Sequence, residues 1–225
     1  MFYYPDYYHC HHREWESKLI TPIASLPLSL DYVKQNINWY SSDTTNDTRL
    51  ENLQWEAIDF IERYLNRSLL TQTRQQIRSS WGGIAPFFNY YFQGASYPQP
   101  VNTAPYVMHL PRPPLQSVSS ITYYDTNNTL QTLSSSLYTV ITDDNGPGRV
   151  VRNINATYPA VYPREDCITI QYVSGWTSLP WSIQRAICLL IGHFNESREA
   201  ASDKQLYSIP FGVENLLNAY EWGAM

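Results

Sequence analysis

Lysine is almost missing from this chain: there are three in 225 residues, and no basic run is longer than a pair. The net charge is −5 and the isoelectric point is near 5.5. A dedicated nucleic-acid binder needs a basic stripe to neutralise phosphates, so that class is disfavoured. An acidic wall can still border a duplex that has only to slide. Charge of both signs is scarce, at 16% of residues against the usual quarter or so. Cysteine is scarce too. Cys10, Cys167 and Cys188 lie far apart with no CxxC pair, which excludes a disulfide scaffold and suits reduced thiols in a cytosolic assembly.

Long apolar runs are also lacking. The longest, around residues 186–191, is too short to span a bilayer. The first sixteen residues, MFYYPDYYHCHHREWE, contain no apolar signal-peptide core, so a soluble protein made in a cytoplasm is expected, with the Asn155 sequon unmodified.

Catalytic signatures are missing as well. There is no GxSxG elbow and no HExxH, and Gly82-Gly83 has no phosphate-loop frame around it. His9, Cys10, His11 and His12 are adjacent and have no second ligand pair nearby, so they do not form the spaced tetrahedral set that structural zinc requires. Asp143-Asp144-Asn145-Gly146 lacks the alternating ligands and the twelfth-position Glu of a calcium loop, and reads as a hairpin turn. The acid pairs Glu165-Asp166 and Glu196 with Glu199 could serve a glycoside hydrolase only if space brought them together. His109 and His193 stand alone and read as structural histidines. No enzyme, metal or cofactor is expected.

Abundance lies in the aromatics, with 19 Tyr and 7 Trp. Such side chains combine an apolar face with a hydrogen-bonding tip and suit surfaces that become buried against partners.

Patterning gives an α+β chain. Residues 1–27 are broken by prolines at 5, 22 and 27 and read as an extended arm. Ser29 should cap a short helix carrying Leu30, Val33 and Ile37. Leu50, Leu53, Ala57, Ile58, Ile61 and Leu65 recur at three-and-four spacing, which predicts a helix over 47–65 ended by a left-handed Asn66. An antiparallel β region follows over about 70–173. Its strands are expected at 71–78, 106–110 (a possible partner of the first), 117–124, 137–141, 149–152 and 167–173. Pro180 opens a helix over about 181–200, with Ile183, Ala186, Ile187, Leu190, Ile191 and Phe194 as its stripe. A short amphipathic helix over 213–220 ends the pattern. The expected architecture is a small helical bundle with an inserted β region.

Several collinear phrases carry a resemblance. They are LPLSLD at 26–31, YLNRSLLTQT at 64–73, LPRPPL at 110–115 followed by SVSSITYYD at 117–125, YVSGW at 172–176, IQRAICLL at 183–190, NESREA at 195–200 and IPFGVENLL at 209–217. In this order they resemble the head–tail connector, or adaptor, proteins of tailed bacteriophages, over nearly the whole chain from Leu26. The resemblance implies a structural virion protein of the neck. Such proteins form a ring, usually of twelve copies, between the portal and the tail; the ring extends the DNA channel and receives tail-completion proteins. The expected organisation is the arm at 1–27 and an adaptor domain at 28–208, and the resemblance implies a portal-docking segment at 209–225, with Phe211, Leu216, Leu217, Tyr220 and Trp222 as anchors.

Two stretches depart from the family pattern: the arm, and the aromatic insertion at 79–105. Trp81, Phe87, Phe88, Tyr90, Tyr91, Phe92 and Tyr97 of the insertion are expected to contact adjacent subunits or a tail protein, because exposed aromatic loops are usually buried on assembly. Twelve copies at −5 each would give −60, a wall that does not grip phosphates. The competing reading is a carbohydrate- or surface-binding module, in which the aromatics would form a platform and the terminal helices would have no role.

Overall fold

A computed structural model describes residues 16–81, 107–144, 146–196 and 211–221. The His9–His12 cluster, most of the arm, the insertion from Gly82 to Tyr106, residues 197–210 and Trp222 lie outside the described residues.

The helices form where the stripes predict them. Ser29 accepts a hydrogen bond from the Tyr32 N–H and caps α1 (Leu30–Asn36). Helix α2 (Asp47–Leu65) ends at Asn66, whose φ of 51° and ψ of 38° are left-handed. Helix α3 (Trp181–Glu196) runs from Pro180, and α4 (Phe211–Leu217) continues as a 3-10 turn through Tyr220. Their apolar faces share one core, in which Val33, Ile61, Leu65, Ile183, Ile187, Val213 and Leu217 are fully buried. Each such side chain contributes about 1.5–3 kcal/mol of burial. Among the described residues no helix is long and apolar enough to cross a membrane.

The strands form two antiparallel sheets. The larger has the order β1-β2-β8-β4-β5, with β1 (Lys18–Thr21), β2 (Gln72–Arg78), β8 (Ile168–Ser174), β4 (Leu115–Tyr124) and β5 (Leu130–Thr132). The smaller is β3-β7-β6, with β3 (Val107–Leu110), β7 (Gly148–Arg152) and β6 (Tyr138–Ile141). A second core, separate from the helical one, lies among these strands and holds Met108, Leu110, Ile121, Val150, Ile168, Ile170 and Tyr172.

One expectation needs correction. The 106–110 strand does not pair with 71–78; it pairs with β7, Val107 opposite Val151, while β2 lies between β1 and β8. Residues 18–21 of the expected extended arm add a strand to the edge of the larger sheet. The inward face of β2 is polar: Gln72, Arg74, Gln76 and Arg78 are all buried. The Gln76 amide donates to the His109 carbonyl at 3.2 Å and ties β2 to β3 across the sheets.

A polar joint laces the helical half to the β half. In the 110–115 connection, Pro111, Pro113 and Pro114 have no N–H to donate, yet each carbonyl accepts a bond: from the Tyr172 hydroxyl at 2.8 Å, the Ser68 N–H at 3.1 Å and the Gly175 N–H at 2.8 Å. The Arg112 guanidinium donates to the Glu62 carbonyl at 2.8 Å. Glu62 Oε1 accepts from the Leu69 N–H and the Gln72 amide, both at 2.8 Å. Burial raises the Glu62 pKa, opposed by the Leu69 N–H, Arg74, Gln72 and Arg112. Gly175 has φ 108°, and a Cβ there would stand 2.0 Å from the Leu70 carbonyl oxygen.

Two outcomes follow from the joint. Gly175→Ala combines a left-handed φ with a backbone clash, and should cost about 2 kcal/mol or more, lowering Tm by roughly 4–8 °C in thermal unfolding. Glu62→Gln keeps an acceptor for both bonds and removes the ionisation. Because the folded pKa is raised, the contribution of the wild-type carboxyl is fully present below its unfolded pKa and is lost as pH rises through the folded one. The urea midpoint of the variant should therefore gain on wild type between pH 4 and pH 7; a constant difference across that range would refute the assignment.

Candidate functional site

The C-terminal segment is seated on the chain's own body, and Arg67 builds the seat. Asn66 turns the chain out of α2, so the next side chain points inward and Arg67 is 2% exposed. Its Nε donates to the Tyr220 carbonyl at 2.6 Å and its Nη1 to the Asp144 carbonyl at 3.1 Å. The guanidinium also stands over the Trp176 ring, 5.8 Å from its centroid. Trp176 in turn meets Tyr220 edge to face, with centroids 5.8 Å apart. Burial lowers the Arg67 pKa, while the neighbouring Asp143 charge works the other way; an arginine in this setting stays cationic. One side chain thus joins the α2–β2 corner, the 143–146 turn and the end of the chain.

The expected docking anchors divide accordingly. Leu217 is fully buried in the helical core, Leu216 packs against that core, and Tyr220 is half-buried on Trp176. In this conformation they fix the segment to its own subunit. Trp222 lies outside the described residues, as does the side chain of Phe211. The outward side of the segment consists of Gly212, Asn215, Asn218, Ala219 and Glu221.

Trp81, where the aromatic insertion begins, turns inward. Its indole N–H donates to the Pro159 carbonyl at 2.7 Å, and its ring packs at 4.7 Å from Tyr158 and 5.5 Å from Tyr123. It is 8% exposed and belongs to the β core. Phe87, Phe88, Tyr90, Tyr91, Phe92 and Tyr97 lie outside the described residues.

The candidate chemical groups are scattered or occupied. Asp166 is paired with Arg164, which holds its carboxyl below the usual range. Glu196 ends α3, and Glu199 lies outside the described residues. Asp143 Oδ1 accepts the Gly146 N–H at 3.2 Å, a turn contact. His109 sits half-buried on β3, its pKa lowered by burial and by Arg149 and Arg78. His193 lies against the Phe194 ring at 6.0 Å. Among the described residues, no group of three or more His, Cys, Asp or Glu side chains could hold a metal ion.

Sequence reasoning found Asn66 but missed Arg67. The only signal was a lone arginine between the apolar ends of two elements, which reads as surface until the C-terminus is placed.

No protein-family model and no curated protein matches the chain. Solved structures do. Over 93% of this chain and 97% of the other, it superposes on a chain of the neck of an empty gene transfer agent particle computed with C6 symmetry, at 16% identity and TM-score 0.68. A chain from the virion of the native gene transfer agent particle gives 17% identity and TM-score 0.67, covering 93% and 96%. A chain of the native particle's neck computed with C12 symmetry gives 17% and 0.64, covering 93% and 97%. At such identities the likeness establishes a shared fold: this chain folds, nearly end to end, like subunits of a virus-like particle's neck.

Proposed function

We propose that the chain is a structural subunit of the neck of a tailed phage or phage-like particle. It forms a ring, of twelve copies by the family resemblance, between the portal and the tail; the ring extends the DNA channel and serves as the docking platform for tail and neck proteins. The observation that carries this reading is the fold likeness to neck subunits over 93% of the chain. Neck assemblies computed with C6 and C12 symmetry accord with a ring.

Charge supports the channel role. Among the described residues Lys34, Arg67, Arg74 and Arg78 are buried whereas no Asp or Glu is, which tilts the described surface toward negative charge. Such a wall repels phosphates and leaves the duplex free to move. For portal docking, the outward side of the C-terminal segment, with Phe211 and Trp222, makes the contact, while Leu216, Leu217 and Tyr220 hold the segment in place.

The test is to purify particles or necks and to count the symmetry of the ring containing this chain. A twelvefold ring below the portal is expected; a stable monomer absent from particles would sink the reading. The seat gives a sharper outcome. Arg67→Ala removes the charge that holds the Tyr220 and Asp144 carbonyls together, and should destabilise the subunit by about 2–4 kcal/mol. Limited proteolysis should then cut the 197–221 region several-fold faster than in wild type, and portal binding should weaken in parallel. Unchanged cleavage and binding would remove Arg67 from this role.

A further inference from the structure

Three rows on the outer face of the five-stranded sheet form a lattice of mostly uncharged polar side chains, and no described helix packs on them. Strand pairing arranges it in three rows: Thr73–Val173–Ser117, Gln75–Gln171–Ser120 and Ile77–Thr169–Thr122–Thr132. The irregularity in β4 between Val118 and Ser120 puts both Ser117 and Ser120 on this face, while Val118 turns to the core. Charge stands only at its margins among the described residues, with Lys18 at the edge opposite Gln75 and Arg164 stacked on Tyr124 beyond the Thr122 row. All these residues are half-buried or exposed, Ile77 at 43%. No helix of the described residues stacks here. None of the eight hydroxyl- or amide-bearing side chains in the rows hydrogen-bonds to another described residue.

Free sheet faces usually carry interspersed charge that keeps them solvated, whereas interface cores are depleted of it. The uncharged complement is present in the sequence itself. Residues 82–106 contain no charged side chain, but seven Phe or Tyr and four Asn or Gln. The segment starts next to Trp81, which packs on Tyr123 in the β core, on the opposite side of the sheet from the rows. Its 25 residues can reach roughly 80 Å when extended. A closed ring needs a heterologous contact, with a donor surface and a different acceptor surface on every copy.

We propose that the sheet lattice is the acceptor surface for the 82–106 segment of an adjacent copy of this chain. Tyrosine hydroxyls and Asn and Gln amides of the segment bond the Thr, Ser and Gln rows, while its rings cover Ile77 and Val173. The proposal rests on the ring reading above.

It is tested in full-length chains with Cys10→Ser, the other two cysteines being buried. One preparation carries Gln171→Cys, a second carries Tyr91→Cys and a third carries the exposed Asn52→Cys of α2 as a control acceptor. Rings assembled from mixtures, or recovered from particles, are treated with a short bis-maleimide. The Gln171–Tyr91 mixture should give at least tenfold more cross-linked dimer than the Asn52–Tyr91 mixture. Gln171→Glu should suppress ring assembly while leaving the subunit's thermal unfolding unchanged. Rings of normal size that form without the cross-link would overturn this contact alone, as would a Gln171–Tyr91 cross-link seen only when both cysteines share one chain. If no ring forms from the unmodified chain or occurs in particles, the proposal falls together with the reading beneath it.

Discussion

Three proline carbonyls and the Glu62 carboxyl tie the two halves of this molecule together. The helical core and the β core do not merge, so no continuous hydrophobic interior fixes one half against the other. Pro111, Pro113 and Pro114 do so instead, by accepting bonds from β8, from the α2–β2 corner and from the turn before α3. Proline has no competing N–H, so the connection cannot be drawn into a ladder of its own and its oxygens stay available. Glu62 completes the joint by gathering the Leu69 and Gln72 donors at the end of α2. The hydrogen bonds in such a joint are directional, which sets the relative orientation of the halves more tightly than apolar contact would.

The seat of the C-terminal segment grows from the same corner. Arg67 follows Asn66, and Ser68 bonds Pro113; a shift at the corner would move both. The proposed portal-facing surface is therefore positioned by the joint that positions the sheet lattice. In a ring, where every subunit must present two surfaces at one fixed angle, that shared origin is what closure needs.

The helices were legible in the sequence because each has an apolar stripe at three-and-four spacing and a recognisable end: Ser29 before α1, Asn66 after α2, Pro180 before α3. The strands were legible individually, but their partners were not. Val107–Leu110 and Gln72–Arg78 look like a pair, yet pairing is decided by long-range register that no local pattern records. Strand β2 was the least readable, since QTRQQIR has no apolar alternation and its buried face is polar. The same holds for the site. In the sequence Leu217 and Tyr220 mark an amphipathic segment, and such segments look alike whether they cover their own body or another. Only the position of Arg67, 153 residues away from Tyr220 in the chain, tells the two apart.

That separation has a consequence for synthesis. A buried guanidinium without acceptors is costly, and Tyr220 follows Arg67 by 153 residues, so this acceptor is synthesised long after the donor. A growing or prematurely ended chain therefore leaves Arg67 one acceptor short and its seat unfinished, whatever its helices and strands have already achieved. Completion of the joint reports that translation has passed residue 220. A chain stopped short of Tyr220 keeps a buried charge with one carbonyl acceptor fewer, a defect that its own stability would register.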